Sequence, residues 1–214
     1  MVINYFGHSC FKFKSTTATV LTDPYSAITG FTMPKTEADL VTISHSHQDH
    51  NDLTRLKNEA FVITEPGEYE VKGVSVLGYP ALHDKDSTLA NNIFVFQIED
   101  LRLCHLGDLG VELTQNQLEE LDGIDILFVN VGNIKDKGLS VDQTVKLINQ
   151  IEPVIVIPMH FCTPDLAKDK FNHCASLEDF IKSFGKEAET LDKLTITKAS
   201  LPLESKLVVL QRRS

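Results

Sequence analysis

A stretch of nine residues, Ser44-His45-Ser46-His47-Gln48-Asp49-His50-Asn51-Asp52, carries three histidines and two aspartates. Its spacing is His-x-His-x-Asp-His. Packing alone has no use for that spacing. A metal site does, because neutral imidazole nitrogens and carboxylate oxygens are what zinc and similar divalent ions bind. The competing reading is a polar loop that ends in a helix cap.

The cluster needs an element to deliver it. Asp39-Leu40-Val41-Thr42-Ile43, directly before it, reads as a buried strand. The same arrangement recurs three times, a strand ending in a metal-competent side chain. His83 follows Val74–Pro80, Asp108 follows Leu101–His105, and His160 follows Val154–Ile157. Loops at strand ends, held by a rigid scaffold, are where α/β proteins place their sites. Each corner alone is a weak signal, and their convergence in space is an expectation.

Bulk properties narrow the classes. The 214 residues suit one domain, spanning 1–214, with a sizeable core. Hydrophobic residues make up 42% and charged residues 23%, the balance of a soluble globular chain. A formal net charge of −10 and a pI near 5.2 argue against a general nucleic-acid binder, which would show a basic face. Met1–Phe13 lacks a long apolar run and a small-residue cleavage signal, and no segment is apolar over the ~20 residues of a transmembrane helix. A cytoplasmic protein without membrane contact is expected. Cys10, Cys104, Cys162 and Cys174 are widely spaced, so four reduced thiols are expected.

Along the chain, Val2–Phe6, Cys10–Lys14, Ala18–Thr22, Leu40–Ile43 and Phe61–Thr64 read as strands. Asp52 is expected to cap a helix over Leu53–Asn58, and Glu65–Glu68 to form a turn. Val74–Gly78 is strand-like. Ile93–Ile98 and Leu101–His105 form a hairpin around Glu99-Asp100, and Ile124–Val131 reads as a strand buried on both faces. Helices are expected over Thr114–Leu121, with Thr114 and Gln117 as capping partners, over Val141–Ile151, and over Ser176–Phe184, ended by Gly185. Thr195–Ile196 and Leu207–Leu210 close the chain as short strands. No repeat, linker or heptad seam appears, so a homo-oligomer is possible but unspecified.

Taken together, the ordered set His45-x-His47-x-Asp49-His50, His83, Gly107-Asp108 and His160 resembles the metallo-β-lactamase-fold hydrolases. Gly7-His8-Ser9, Leu21-Thr22-Asp23-Pro24, His105–Gly110 and Ile157-Pro158-Met159-His160 are similar to the branch that includes ascorbate-6-phosphate lactonase and uncharacterised zinc-dependent hydrolases. The resemblance implies an α/β four-layer αββα sandwich, two mixed β-sheets flanked by helices, with the ligands at one edge. It implies two divalent metal ions, zinc first and manganese or iron as alternatives. His45, His47 and His83 would hold one ion, and Asp49, His50 and His160 the other. Asp108 would bridge them, since a carboxylate has two oxygens. A water between two cations ionises near neutral pH and becomes the nucleophile, while Asp49 could also accept or pass on a proton.

Several residues have two readings. His8 could line the substrate pocket or support the ligands, or be a turn histidine. Asp23 could orient ligands from behind or form an Asp-Pro turn. His105 is read as a packing residue at a strand end, and His173 as a surface residue. One departure from the lactonase branch is Val131-Gly132-Asn133-Ile134-Lys135, where a Gly-Gly followed by tyrosine or threonine is usual; Asn133 or Lys135 would then face the substrate. The leading expectation is a dinuclear hydrolase of a small-molecule ester, lactone or phosphodiester. The alternatives are a phosphodiesterase or nuclease on RNA or DNA, which acidity and size disfavour, and a non-catalytic metal-binding or ligand-sensing protein, which the intact ligand set disfavours.

Overall fold

The computed structural model of the chain describes residues 1–86, 88–132, 138–167, 171 and 174–213. Among these residues fourteen strands, numbered in chain order, form two sheets. The first has the spatial order β13 (Leu194–Thr195), β1 (Val2–Gly7), β2 (Cys10–Lys14), β3 (Thr19–Thr22), β4 (Leu40–Thr42) and β5 (Phe61–Ile63). The second runs β12 (Ala188–Leu191), β14 (Lys206–Leu210), β11 (Ile155–Met159), β10 (Ile126–Asn130), β9 (Leu101–His105), β8 (Ala90–Ile98), β7 (Val74–Leu82) and β6 (Gly67–Val71). Both sheets are mixed: β3, β4 and β5 are parallel beside antiparallel β1–β3. Likewise β9 to β12 and β14 are parallel beside antiparallel β6–β9.

Alternation along the strands explains the packing. Successive side chains of a strand point to opposite faces. Phe94, Phe96 and Ile98 of β8, Ile126 and Phe128 of β10, and Ile155 and Ile157 of β11 enter the core between the sheets. There they meet Ile3, Tyr5, Phe11, Phe13, Val20 and Leu40 of the first sheet. The intervening residues Ile93, Val95, Leu127, Val129 and Val156 face outwards, against helices α1 (Gln115–Glu120), α2 (Val141–Ile151) and α3 (Leu177–Phe184). An apolar run is therefore required where both faces are covered. These three helices begin on a side-chain cap, from Thr114, Ser140 and Ser176, and Gly185 closes α3 in the left-handed region.

The layer outside the first sheet is made differently. Phe6, Leu21, Val41 and Ile43 are covered by Tyr25, Phe31, Met33 and Leu166, from irregular chain and one short 3-10 turn at Ala27–Thr29. The helix expected at Leu53–Asn58 is not formed. Asp52 Oδ1 accepts from the Thr54 N–H at 2.8 Å, a local turn that competes with helix. The main chain of Arg55 and Lys57 is taken by Thr36 instead (Thr36 N to Arg55 O 3.1 Å, Lys57 N to Thr36 O 2.9 Å). Glu65–Glu68 is likewise not wholly a turn, because Gly67 and Glu68 already pair with β7. The Glu99-Asp100 hairpin is as expected, with φ of 49° and 65° at its two central residues.

The cysteine expectation is corrected. Cys162 and Cys174 form a disulfide, whereas Cys10 and Cys104 are free and buried. The chain returns beside β11, with the Cys162 N–H on the Ala175 carbonyl at 3.0 Å, and this brings together two cysteines whose spacing gave no sign of pairing. No helix among the described residues is long and apolar enough to cross a membrane.

Phe128 is fully buried, with ring centroids 4.5 Å from Phe11 and 5.1 Å from Phe13 across the sheets. Phe128→Ala should lower unfolding free energy by about 3–5 kcal/mol in urea titrations. A loss below about 1 kcal/mol would contradict the packing of the two sheets through this residue.

Candidate metal centre

The site begins at the C-terminal ends of β3 and β4. Asp23, wholly buried and at φ 37°, follows β3. One carboxylate oxygen accepts from the Ser44 N–H at 2.7 Å, and the other from the Ser44 hydroxyl at 2.6 Å and His50 Nδ1 at 2.9 Å. Ser44 Oγ also lies 2.9 Å from His45 Nδ1. The Nδ1 sides of His45 and His50 are therefore occupied, and their Nε2 atoms point away from the support. His45 Nε2 is 3.0 Å from His47 Nδ1.

The second sheet supplies the opposite side. His83, just past β7, has Nε2 3.1 Å from Asp108 Oδ2 and Nδ1 3.4 Å from Asp84. Asp108 is anchored at its N–H, which donates to Asn91 Oδ1 at 2.8 Å. Its other carboxylate oxygen, Oδ1, accepts from Asn130 Nδ2. His160 follows β11 at φ 59°, with Nε2 3.5 Å from Asp108 Oδ2. Two glycines permit these approaches. A Cβ on Gly110 would collide with the His83 carbonyl, and one on Gly132 with that of His160.

His8 joins from the β1–β2 turn. Its Nε2 is 2.9 Å from Asp49 Oδ2, and its ring centroid is 3.9 Å from that of His160. Its carbonyl accepts both the His160 N–H and the Tyr5 hydroxyl at 2.9 Å.

Burial, reinforced by the facing histidines, pushes His8 down to about 3 and His45 down to about 2. Both are neutral imidazoles. Burial also pulls on His50, but the Asp23 hydrogen bond and the Asp49 charge outweigh it and lift His50 to about 9. Burial pushes Asp108 and Asp49 upwards, yet the surrounding imidazoles win and hold both below the ordinary carboxylate range. The site is thus a negative centre ringed by nitrogen donors.

The donors fall into three overlapping groups, each within 4.8 Å: His45, His47 and His83; His45, His50 and Asp108; and His8, Asp49, His50 and His160. Two buried ring nitrogens inside them, Nε2 of His50 and Nε2 of His160, have no hydrogen-bond partner. Leaving a buried polar atom unpaired costs about 1–3 kcal/mol, so an atom converging with other donors fits a cation. The residues present fit a divalent metal in charge, donor type and orientation.

All seven residues expected as ligands therefore converge, and Asp23 and His8 lie against them. His105 stays apart, buried with Nε2 2.9 Å from the Ser9 carbonyl, a packing residue as expected. Asn133, Lys135 and His173 lie outside the described residues. Sequence reasoning missed Ser44, Asn91 and Asn130. Asn130 had a signal: it is a polar residue at the C-terminal end of an otherwise apolar strand, whereas Asp125, just before the strand's N-terminal end, is satisfied by Lys198 and the Arg102 N–H.

A β-lactamase superfamily domain matches residues 2–160, the span from β1 to His160. The chain belongs to the metallo-β-lactamase superfamily. Within it, the chain is 30% identical over 183 residues to a UPF0173 protein of Pyrococcus abyssi, covering 76% of this chain and 84% of that one. A UPF0173 metal-dependent hydrolase of Methanocaldococcus jannaschii is 25% identical, covering 95% and 100%. The crystal structure of a candidate zinc-dependent hydrolase of the superfamily from Thermotoga maritima superposes with a TM-score of 0.82 at 32% identity, over 99% of both chains. The chain is accordingly a metal-dependent hydrolase of the metallo-β-lactamase superfamily with this superfamily's fold.

Asp23→Ala should weaken metal binding by about 10–100-fold in chelator competition, although Asp23 is no donor to the site. An unchanged affinity would show that His45 and His50 are oriented without it. A second expectation concerns protons. His50 rises from 6.5 to about 9, so at pH 7.5 the metal-free chain carries a proton that a cation on Nε2 must displace. Metal titration calorimetry in buffers of different ionisation enthalpy should report net proton release, with apparent affinity rising up to about pH 9. Buffer-independent heats would contradict this.

Proposed function

We propose that the chain is a dinuclear hydrolase that cleaves an ester, lactone or phosphodiester bond of a small molecule. The observation that carries this reading is the pair of unpartnered, buried Nε2 atoms of His50 and His160, in donor groups that overlap, through His45 and His50, with those of Asp108 and of His47 and His83. His45, His47 and His83 would hold one ion and Asp49, His50 and His160 the other. Asp108, with His83 at 3.1 Å and His160 at 3.5 Å from the same oxygen, sits where it can serve both. Zinc suits this nitrogen-and-oxygen set, as do manganese and iron. Bound divalent cations supply a Lewis acid and a lowered water pKa.

The chain's own residues do the rest. Asp49 is half-buried, and its carboxylate is held ionised below the ordinary range, which makes it a weak base; it would orient the attacking water by accepting its hydrogen bond and relay a proton to the leaving group. His8, kept neutral by burial, donates to Asp49 Oδ2 and fixes the orientation of that carboxylate. Asn130 and Asn91 hold Asp108 from opposite ends. His47 is exposed and His83 half-buried, so the cluster is open to solvent on their side. A cavity of about 470 Å³, lined by His45, Ser46, Asn51, Glu65, Pro80 and Leu89 among others, adjoins it. That volume suits a small molecule.

Metal analysis of the purified protein should give about two equivalents; one or none would overturn the dinuclear reading. Asp108→Ala should lower occupancy of both ions, whereas His160→Ala should affect mainly one. Generic esters, lactones and bis-aryl phosphates should reveal turnover that Asp108→Ala abolishes. Full metal loading without turnover on any of these would favour a sensing role instead.

A further inference from the structure

The chain is acidic, with a formal net charge of −10, so a place where its cations gather is informative. One lies along β1, on the side away from β2. Two short segments share that side. β13 pairs with Val2 and Ile3. The segment Gln211–Arg213 takes Tyr5, through a Tyr5–Arg212 bridge and an Arg213 N–H to Tyr5 carbonyl bond of 2.9 Å. Asn4 falls between the two, and a cavity of about 360 Å³ opens there, lined by Asn4, Asp192, Lys193, Gln211, Arg212 and Arg213.

Three cations and one carboxylate line this notch. Two of the cations are already held. Arg213 Nη1 donates to Asn4 Oδ1 at 2.9 Å, and Asn4 is itself only 7% exposed. The Arg212 guanidinium lies 3.9 Å over the Phe31 ring and pairs with Asp165. Among the described residues, Lys193 and Arg213 form no ion pair, so their charge faces the notch uncompensated by a carboxylate in contact. The positive field extends onto β2: burial first, and then Lys14, Arg213 and Lys57, pull the Lys12 ammonium pKa down, against an opposing pull from Glu37.

We propose that this notch is a binding site for a small polyanion bearing phosphoryl groups, such as a nucleoside diphosphate, with Lys193 and Arg213 as its charge contacts. A guanidinium fork fixed at one end and an exposed ammonium at the other match the oxygens of adjacent phosphoryl groups. A nucleic acid fits less well, because it needs a basic track rather than one notch on an acidic surface. None of the metal-centre donors lines this notch, and neither Lys193 nor Arg213 belongs to the donor groups.

Isothermal titration of the metal-loaded protein with inorganic pyrophosphate tests this. Saturable binding is expected, weakened about tenfold by Lys193→Ala and by Arg213→Ala and unaffected by Lys146→Ala on α2. Among the described residues the exposed Lys193 side chain makes no hydrogen bond or ion pair, so its substitution keeps the test valid if Arg213→Ala unfolds the chain. Binding should survive Asp108→Ala; its loss there would assign pyrophosphate to the metals and overturn the proposal. Absence of saturable binding, or binding indifferent to Lys193→Ala and Arg213→Ala together, would overturn it as well. A short single-stranded RNA bound more tightly than pyrophosphate through the same two residues would replace the small ligand with a nucleic acid.

Discussion

One buried carboxylate organises the centre. Asp23 accepts from the Ser44 N–H, the Ser44 hydroxyl and His50 Nδ1 within 2.9 Å, and is itself wholly excluded from water. A buried charge is tolerated only when paired and hydrogen-bonded. This requirement fixes three things together: the turn after β4, the face of the His50 ring, and through Ser44 the face of the His45 ring. The His50 Nε2 atom is left unpaired towards the cleft, and the His45 Nε2 atom meets His47 there. The same physics that keeps Asp23 ionised in the interior therefore leaves a cluster of donors in need of a cation.

The scaffold places five strand ends along one edge of the sandwich. β3 and β4 bring Asp23 and the His45–His50 loop from the first sheet, and β7, β9 and β11 bring His83, Asp108 and His160 from the second. Parallel neighbours put equivalent ends side by side, as with β3 and β4, and β9, β10 and β11. Asn130, at the end of β10 between β9 and β11, lies where it can reach Asp108 for that reason. Close packing brings the loops within reach of one another, and Gly110 and Gly132 keep the main chain out of the way where His83 and His160 turn.

Charge is distributed unevenly over this frame. The metal centre concentrates Asp23, Asp49 and Asp108 among imidazoles, while the β1 notch concentrates Lys193, Arg212 and Arg213 on an otherwise acidic chain. The two regions share the β1 strand but use opposite chemistry, one suited to cations and the other to anions.

Much of this was legible in the sequence. The spacing His45-x-His47-x-Asp49-His50 pointed to a candidate metal centre, and its side chains do converge with His83, Asp108 and His160. The apolar run Ile124–Val131 identified β10 as a strand covered on both faces, and the Thr114–Gln117 pair and Ser176 located the starts of α1 and α3. What the sequence could not decide depended on contacts between distant residues. The expected helix after Asp52 gave way to bonds with Thr36, the thiols of Cys162 and Cys174 met because the chain returns beside β11, and Ser44, Asn91 and Asn130 became supports only where strands from different parts of the chain end together. Local residue types determined which atoms could bind a metal; tertiary structure decided which of them share a cleft, because a donor's partners are set by distance in space and not by separation along the chain.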